Sequence, residues 1–282
     1  GIARLSGMTQ FKKLGITPTA RRPGAANLAG TVKFSESSAH VTLNTRDGQL
    51  LAPMFYRNPV LLTQLTGNVS ITPNISDTIG LSIQTDTIHW VGPTTTGDVQ
   101  LQLQFARTAT GLAGSPDIDL TGTFTGKSLT GIADRYIPYS WPQKLQNWLK
   151  TALKGGRVTQ AKVLLKGNTA NLPFDVLGKP GHLEVHATLE KPSIRFDPQW
   201  PVMTHEQAMF TLNGPRIDIV AHNGKLDGIA VPQSTVSIPD VAAPTLRVSG
   251  SGEASAQQWL ALIAKTNLQK PLKPILEKFH YV

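Results

Sequence analysis

Three places in this chain carry residue types that could do chemistry. The first is Gly122-Thr123-Phe124-Thr125-Gly126-Lys127-Ser128, which ends like a phosphate-binding loop. Such a loop needs four residues between its glycines, so that successive amides can cradle phosphates. Thr121 stands where the first glycine belongs, so the loop is one residue short and reads as a turn closing a strand. The second is His205-Glu206, the opening of a zinc-hydrolase helix motif. That motif needs a second histidine four residues on, and here the position is Met209. The seven histidines are scattered and read as strand-face residues. The third is Asp117 and Asp119, alternating with Ile118 and Leu120. Two carboxylates on one strand face could act as acid and base; the plainer reading is a solvated face. No Gly-x-Ser-x-Gly elbow occurs. With no cysteine, disulfides and thiolate metal sites are ruled out. Aromatic residues are only 6%, too few to interleave with basic residues as nucleic-acid surfaces do. No catalytic residue, metal ligand or cofactor is assigned.

The elements that would position such groups are mostly strands. The longest alternation is Val99, Leu101, Leu103 and Phe105 against Gln100, Gln102 and Gln104. It predicts a strand with one apolar and one uncharged polar face. Similar runs are Leu28 to Phe34, His40 to Leu43, Leu65 to Ile71, Ile79 to Ile83, Thr87 to Trp90, and Ile118 to Phe124. Later ones are Ala161 to Leu165, Leu183 to Leu189, Met209 to Leu212, Ile217 to Ala221, Val231 to Ile238, and Leu246 to Val248. Residues 1–30 read as largely irregular, and Arg46-Asp47-Gly48 as a hairpin turn.

One stretch breaks this habit. Leu145, Trp148, Leu149, Ala152 and Leu153 recur at spacings of three and four, predicting an amphipathic helix over about 140–154. Ser140 is placed to cap it, Pro142 suits its first turn, and Gly155-Gly156 should end it. A second helix is expected over about 255–265, capped by Ser255, striped by Trp259, Leu260, Leu262 and Ile263, and broken near Pro271. The chain thus reads as two strand-rich passes, 1–154 and 155–282, each ending in a helix and together forming one continuous elongated structure. No strand–helix–strand rhythm is present, which argues against a nucleotide-binding α/β domain.

Composition agrees. Charged residues make up 16%, against roughly 25% in ordinary globular proteins, so Thr, Ser, Asn and Gln carry the polarity. The net charge of +9 gathers at the ends: Arg4, Lys12, Lys13, Arg21 and Arg22 at one, and Lys265, Lys270, Lys273 and Lys278 against Glu277 at the other. Such ends suit anionic lipid head groups or nucleic acid, or are simply a solvated surface or a terminus trimmed from a longer chain. No apolar run approaches the roughly 20 residues of a membrane span, and no signal peptide opens the chain. Gly1 begins in mid-pattern and Val282 ends without a stop signal, so the chain is expected to be a piece of a longer one.

A resemblance attaches to the first helix. Tyr136-Ile137-Pro138, Trp148-Leu149, Ala152-Leu153 and Gly155-Gly156-Arg157-Val158 are similar to the AsmA-like family, and within it to YhdP-type proteins of Gram-negative envelopes. Gly167-Asn168, Pro173-Phe174 and Trp200-Pro201 continue it, so the likeness runs from about Ser128 to Leu262. The resemblance implies a periplasmic segment of an inner-membrane-anchored protein, although the family's N-terminal anchor is not in this sequence. It implies a bridge-like carrier in which a twisted sheet curls into a greasy groove for glycerophospholipids, and no catalytic residues.

The alternation supplies a mechanism by itself. A sheet with one apolar face must cover it, and two helices cannot cover more than a dozen strands. Either the sheet closes as a sandwich or barrel, or it stays partly open as a groove. The expected fold is therefore mainly β: an elongated, twisted antiparallel sheet curled into a hydrophobic groove, with two short amphipathic helices. The candidate floor is Val99, Leu101, Leu103, Phe105, Val163, Leu165, Leu183, Val185 and Leu189; the same residues could fill an ordinary sandwich core. The helix around Trp148 is expected to plug or brace the sheet. Expected partners are phospholipid acyl chains, membranes at the ends of the full-length protein and envelope proteins, with the chain itself a monomer. Two other functions stay open: a scaffold binding partners at its sheet edges, and a hydrolase using Asp117 and Asp119.

Overall fold

The computed structural model describes residues 5–19, 22–73, 75–176 and 178–276. Arg4, Arg21, Glu277 and Lys278 of the two basic ends lie outside the described residues. Fifteen strands form one antiparallel sheet: β1 Ser6–Ile16, β2 Gly24–Ser35, β3 Ala39–Leu51, β4 Val60–Pro73, β5 Ile79–Thr85, β6 Ile88–Val91, β7 Thr95–Thr108, β8 Gly111–Leu112, β9 Asp117–Gly126, β10 Leu153–Asn168, β11 His182–Ile194, β12 Met203–Asn213, β13 Arg216–Leu226, β14 Ile229–Ile238 and β15 Arg247–Glu253. The helices are α1 Leu129–Tyr136, α2 Gln143–Ala152, α3 Ala256–Ala264 and α4 Gln269–Leu276. The ladder runs in chain order from β1 to β15, with β6 and β8 as side branches. Its two edges, β1 and β15, do not pair with each other among the described residues, so the sheet is not a barrel.

Several local expectations change. The supposedly irregular start holds two long strands, β1 and β2. Arg46-Asp47-Gly48 is not a turn: it lies inside β3, with Asp47 in the left-handed region at φ 55°. Helix α2 starts after Pro142 without a side-chain cap from Ser140. Its first turn is instead tied down by buried Gln146, whose Nε2 donates to the carbonyls of Tyr139 (2.9 Å) and Trp141 (2.6 Å). Gly155-Gly156 do not end the helix, because β10 has already begun at Leu153. Helix α1 was not foreseen. Ser128, the last residue of the loop that mimics a phosphate cradle, is its cap and accepts from the Gly131 amide at 3.2 Å. Ser255 does cap α3, reciprocally with Gln258. Pro271 falls in the first turn of α4, where a missing N–H is harmless, rather than stopping a helix.

A line of irregularities crosses the strands. Lys13 in β1, Asn27 in β2, Asp47 in β3, Lys191 in β11 and Asn223 in β13 all have left-handed φ. The Asn27 side chain reaches the Asp47 carbonyl, and Gly156 (φ 108°) faces Lys191 and Pro192 across the β10–β11 ladder. The line also changes which side chains are buried. In β12 the buried positions are 203 and 205 before it, then 208 and 212; in β14 they are 229 and 231, then 234, 236 and 238. Each extra residue restores the apolar side to the same face and increases local bend and twist.

The curl shows at the connection from α1 to α2. The Tyr139 amide donates to Phe55 O (2.9 Å) in the β3–β4 loop, at one end of the strands. Trp141 Nε1 donates to Asp175 Oδ2 (3.0 Å) in the β10–β11 loop, at the opposite end. Two residues span at most about 7 Å, so the two rims approach each other around this segment.

Candidate functional site

Register assigns the faces. Leu101 pairs Leu120, which pairs Leu165, which pairs Leu183. Leu103 pairs Ile83 and Ile118; Ile83 pairs Ile71, and Phe105 pairs Leu81. On the far side, Val69 pairs Val41, which pairs Val32, and Gly30 joins Leu43 to Phe11. Side chains that oppose one another share a face. One apolar row therefore continues across β1, β2, β3, β4, β5, β7, β9, β10 and β11. The other face carries Gln100, Gln102, Thr121, Thr123, Lys162, Glu184 and His186.

That row has two regimes. From β1 to β9, none of Phe11, Val32, Val41, Leu43, Val69, Ile71, Leu81, Ile83, Val99, Leu101, Leu103, Phe105, Ile118 or Leu120 is fully buried. Phe34 is exposed at 38%. Toward β15 the face gains a helical cover, beginning over Val158 and Ala161 of β10. Leu129 and Ile132 of α1 pack on Val158, Ala161, Ala187, Leu189, Ala208 and Ala221. Leu145, Trp148 and Leu149 of α2, with Trp141, pack on Leu183, Val185, Leu212, Ile217 and Ile238. Leu262 and Trp259 of α3 close over Met203, Leu226, Ile229 and Val231.

The nine floor residues divide accordingly. Val99, Leu101, Leu103, Phe105, Val163 and Leu165 share the face and keep some exposure. Leu183 and Val185 pack against the α2 layer, and Leu189 is buried at 7% beneath α1. The larger part of the uncovered face, from Phe11 to Ile83, was not among the candidates. Its signal was present in Val41, Val69, Ile71 and Ile83, but those strands are shorter or interrupted by bulges.

The polar candidates lie elsewhere. Asp119 pairs with Lys166 at 2.9 Å and Asp117 accepts from Asn168 Nδ2 at 2.9 Å, both on the polar face. His205 is buried and hydrogen-bonded to Ser234 (2.8 Å), and burial, then His222, lowers its pKa. An open depression of about 440 Å3 on the polar face is lined by Asp98, Gln100, Lys162, Glu184 and His186. Glu184 contacts both His182 and His186, and those contacts lower its pKa. The carboxylates of this face are each paired: Asp98 with His89, Asp119 with Lys166, and Glu184 with His182.

No described helix is long and apolar enough to cross a membrane. A family model described as YhdP protein matches residues 1–281. No curated protein and no solved structure gives a significant match.

Proposed function

The chain belongs to the YhdP protein family, an envelope-associated one, and from that premise we propose that it is a lipid-conducting segment of a periplasmic protein. In this reading it moves glycerophospholipids between the inner and outer membranes, is anchored through the longer protein of which it is part, and performs no catalysis. The observation that carries the reading is the continuous apolar row from β1 to β9, most of whose side chains keep partial exposure, in a sheet whose edges do not pair among the described residues. Exposed apolar surface beyond a few hundred Å2 is a binding site more often than an accident. A 16-carbon acyl chain in water costs roughly 13 kcal/mol at about 0.8 kcal/mol per CH2. A row of Leu, Ile, Val and Phe removes that barrier at every strand, so the chain can slide without meeting water. Sliding from one strand of the row to the next needs no specific headgroup contact.

Mass spectrometry of the purified protein tests the reading. Bound phospholipid, lost when Leu101 and Leu103 are both replaced by Asp in a folded protein, is the expected result. A lipid-free protein after gentle purification would count against it. The β1 edge favours a second reading: among the described residues β1 pairs only with β2, and Leu5, Met8 and Ile16 are more than half exposed. An envelope protein could add a strand there, although Lys12 and Lys13 on that edge guard against it. Cross-linking from position 10 to a distinct envelope protein, unaffected by the Leu101 and Leu103 substitutions, would favour the scaffold.

A further inference from the structure

Where the uncovered face meets the helices, a cavity of about 160 Å3 opens at the rim. Its walls come from the β3–β4 loop, the end of α1 and one side of α2. Arg57, Arg135 and Lys150 line it with a single carboxylate, Asp134. Elsewhere Arg157, Lys166, Arg216 and Lys265 each hold a carboxylate; these three cations have no ion-pair partner among the described residues. The Arg57 guanidinium stands 5.8 Å from the centre of the Tyr139 ring, which steers its fork. Tyr56 stacks edge-on against Tyr136, with centroids 6.0 Å apart. Its hydroxyl has no hydrogen-bond partner among the described residues. Burial, then the Tyr136 phenol, pushes Tyr56 up to about 12, so it stays a donor. Tyr136, by contrast, is held by Thr95 Oγ1 at 2.9 Å. Thr95 lies four residues along β7 from Val99, roughly 13 Å at about 3.3 Å per residue.

Two guanidiniums, an ammonium and a free phenol around one small cavity offer more donors than the single Asp134 carboxylate can accept. Arginine forks match phosphate oxygens two at a time, and a lysine adds a point charge. The ligand must therefore be a compact oxyanion, and the neighbouring Val60, Leu61 and Ile137 admit an apolar attachment. We propose that this cavity binds the phosphate of a glycerophospholipid headgroup whose acyl chains lie on the uncovered face, making it the station where lipid stops before the helix-covered half. The proposal rests on the lipid reading of that face.

Calorimetric titration of the chain with three probes tests it: dihexanoyl-phosphatidylglycerol, dihexanoylglycerol and inorganic phosphate. The triple variant Arg57→Ala, Arg135→Ala, Lys150→Ala should weaken the phospholipid at least tenfold and leave dihexanoylglycerol unchanged, which also reports an intact fold. Tyr56→Phe should weaken the phospholipid about threefold. Wild-type affinity for the phospholipid should fall with added salt. Unchanged phospholipid affinity in the triple variant overturns the headgroup site, as does equal weakening of both lipids. Inorganic phosphate binding as tightly as the phospholipid would assign the cavity to free phosphate and overturn the lipid source. If the wild type binds neither lipid probe, it is the apolar-face reading that fails; if it binds both equally, the headgroup site alone fails.

Discussion

Aspartate at Leu103 and at Leu189 separates an uncovered face from a core. The two leucines lie in the same apolar row, but Leu189 is buried at 7% under α1 while Leu103 keeps partial exposure. Truncating a buried leucine costs about 2–5 kcal/mol, and an unpaired polar group in its place adds about 1–3 kcal/mol. Leu189→Asp should therefore lose about 4–6 kcal/mol, comparable with the roughly 5–15 kcal/mol that holds a domain together. Leu103→Asp can turn its carboxylate to water and forfeits only part of one leucine's burial, about 1–2 kcal/mol. The gap of about 3 kcal/mol, divided by a urea slope of about 2–3 kcal/mol/M, becomes a difference of 1–1.5 M between the two midpoints. Urea titrations followed by far-ultraviolet circular dichroism measure this directly. Equal losses at the two positions would mean that Leu103 sits in a closed core, and the distinction between the two halves would be wrong.

Three other expectations follow from particular contacts. Ala208 is buried at 1% beneath α1, so Ala208→Leu should overpack and lower stability by about 1–3 kcal/mol, whereas Val69→Leu on the uncovered face should change it by less than about 0.5 kcal/mol in urea titrations. Gln146→Leu leaves the Tyr139 and Trp141 carbonyls without their donor; a loss of about 2 kcal/mol and faster amide exchange over 137–146 are expected. His205 has a lowered folded pKa, so its stabilisation is complete above the unfolded value near 6.5. It is lost as pH falls from there through the folded pKa, because the unfolded chain takes up the proton first. The urea midpoint should drop between pH 7.5 and 5.5, and by less in His205→Gln. Glu184 is also lowered, which places its loss further down, below about pH 4.5, and keeps the two effects apart.

Much of the sheet was legible because period two survives wherever one face is apolar. Val99 to Phe105 needed nothing but alternation. The strands missed or read only in part are those with an extra residue: β1, at Lys13, was not expected, while β2, at Asn27, and β3, at Asp47, were read only over Leu28 to Phe34 and His40 to Leu43. There a bulge interrupts the alternation, and Asp47-Gly48, a common turn pair, supports the wrong element. Helix α1 was hidden for a different reason. Its eight residues contain Gly131 and Thr130, poor helix formers, and its stability comes from Leu129 and Ala133 packing on the sheet. The headgroup cavity could not be read at all, because Arg57, Arg135 and Lys150 are apart in sequence and meet only where the β3–β4 loop packs against α1 and α2.

Side-chain size decides where the groove stops. A helix laid on a sheet needs room beneath it, and the face under α1 supplies it: Ala161 pairs Ala187, and Ala208 pairs Ala221, which pairs Ser234. All five are buried. Continuing the Ala161 row the other way, through β9 to β4, are Phe124, Gly97, Trp90 and Leu65, three of them large enough to fill that space themselves. A helix there would be pushed away from the backbone and would bury little more of itself. The small residues thus seat α1 close to the sheet, and the large ones beyond β9 leave a soft surface suited to something thinner than a helix. An acyl chain has that thickness.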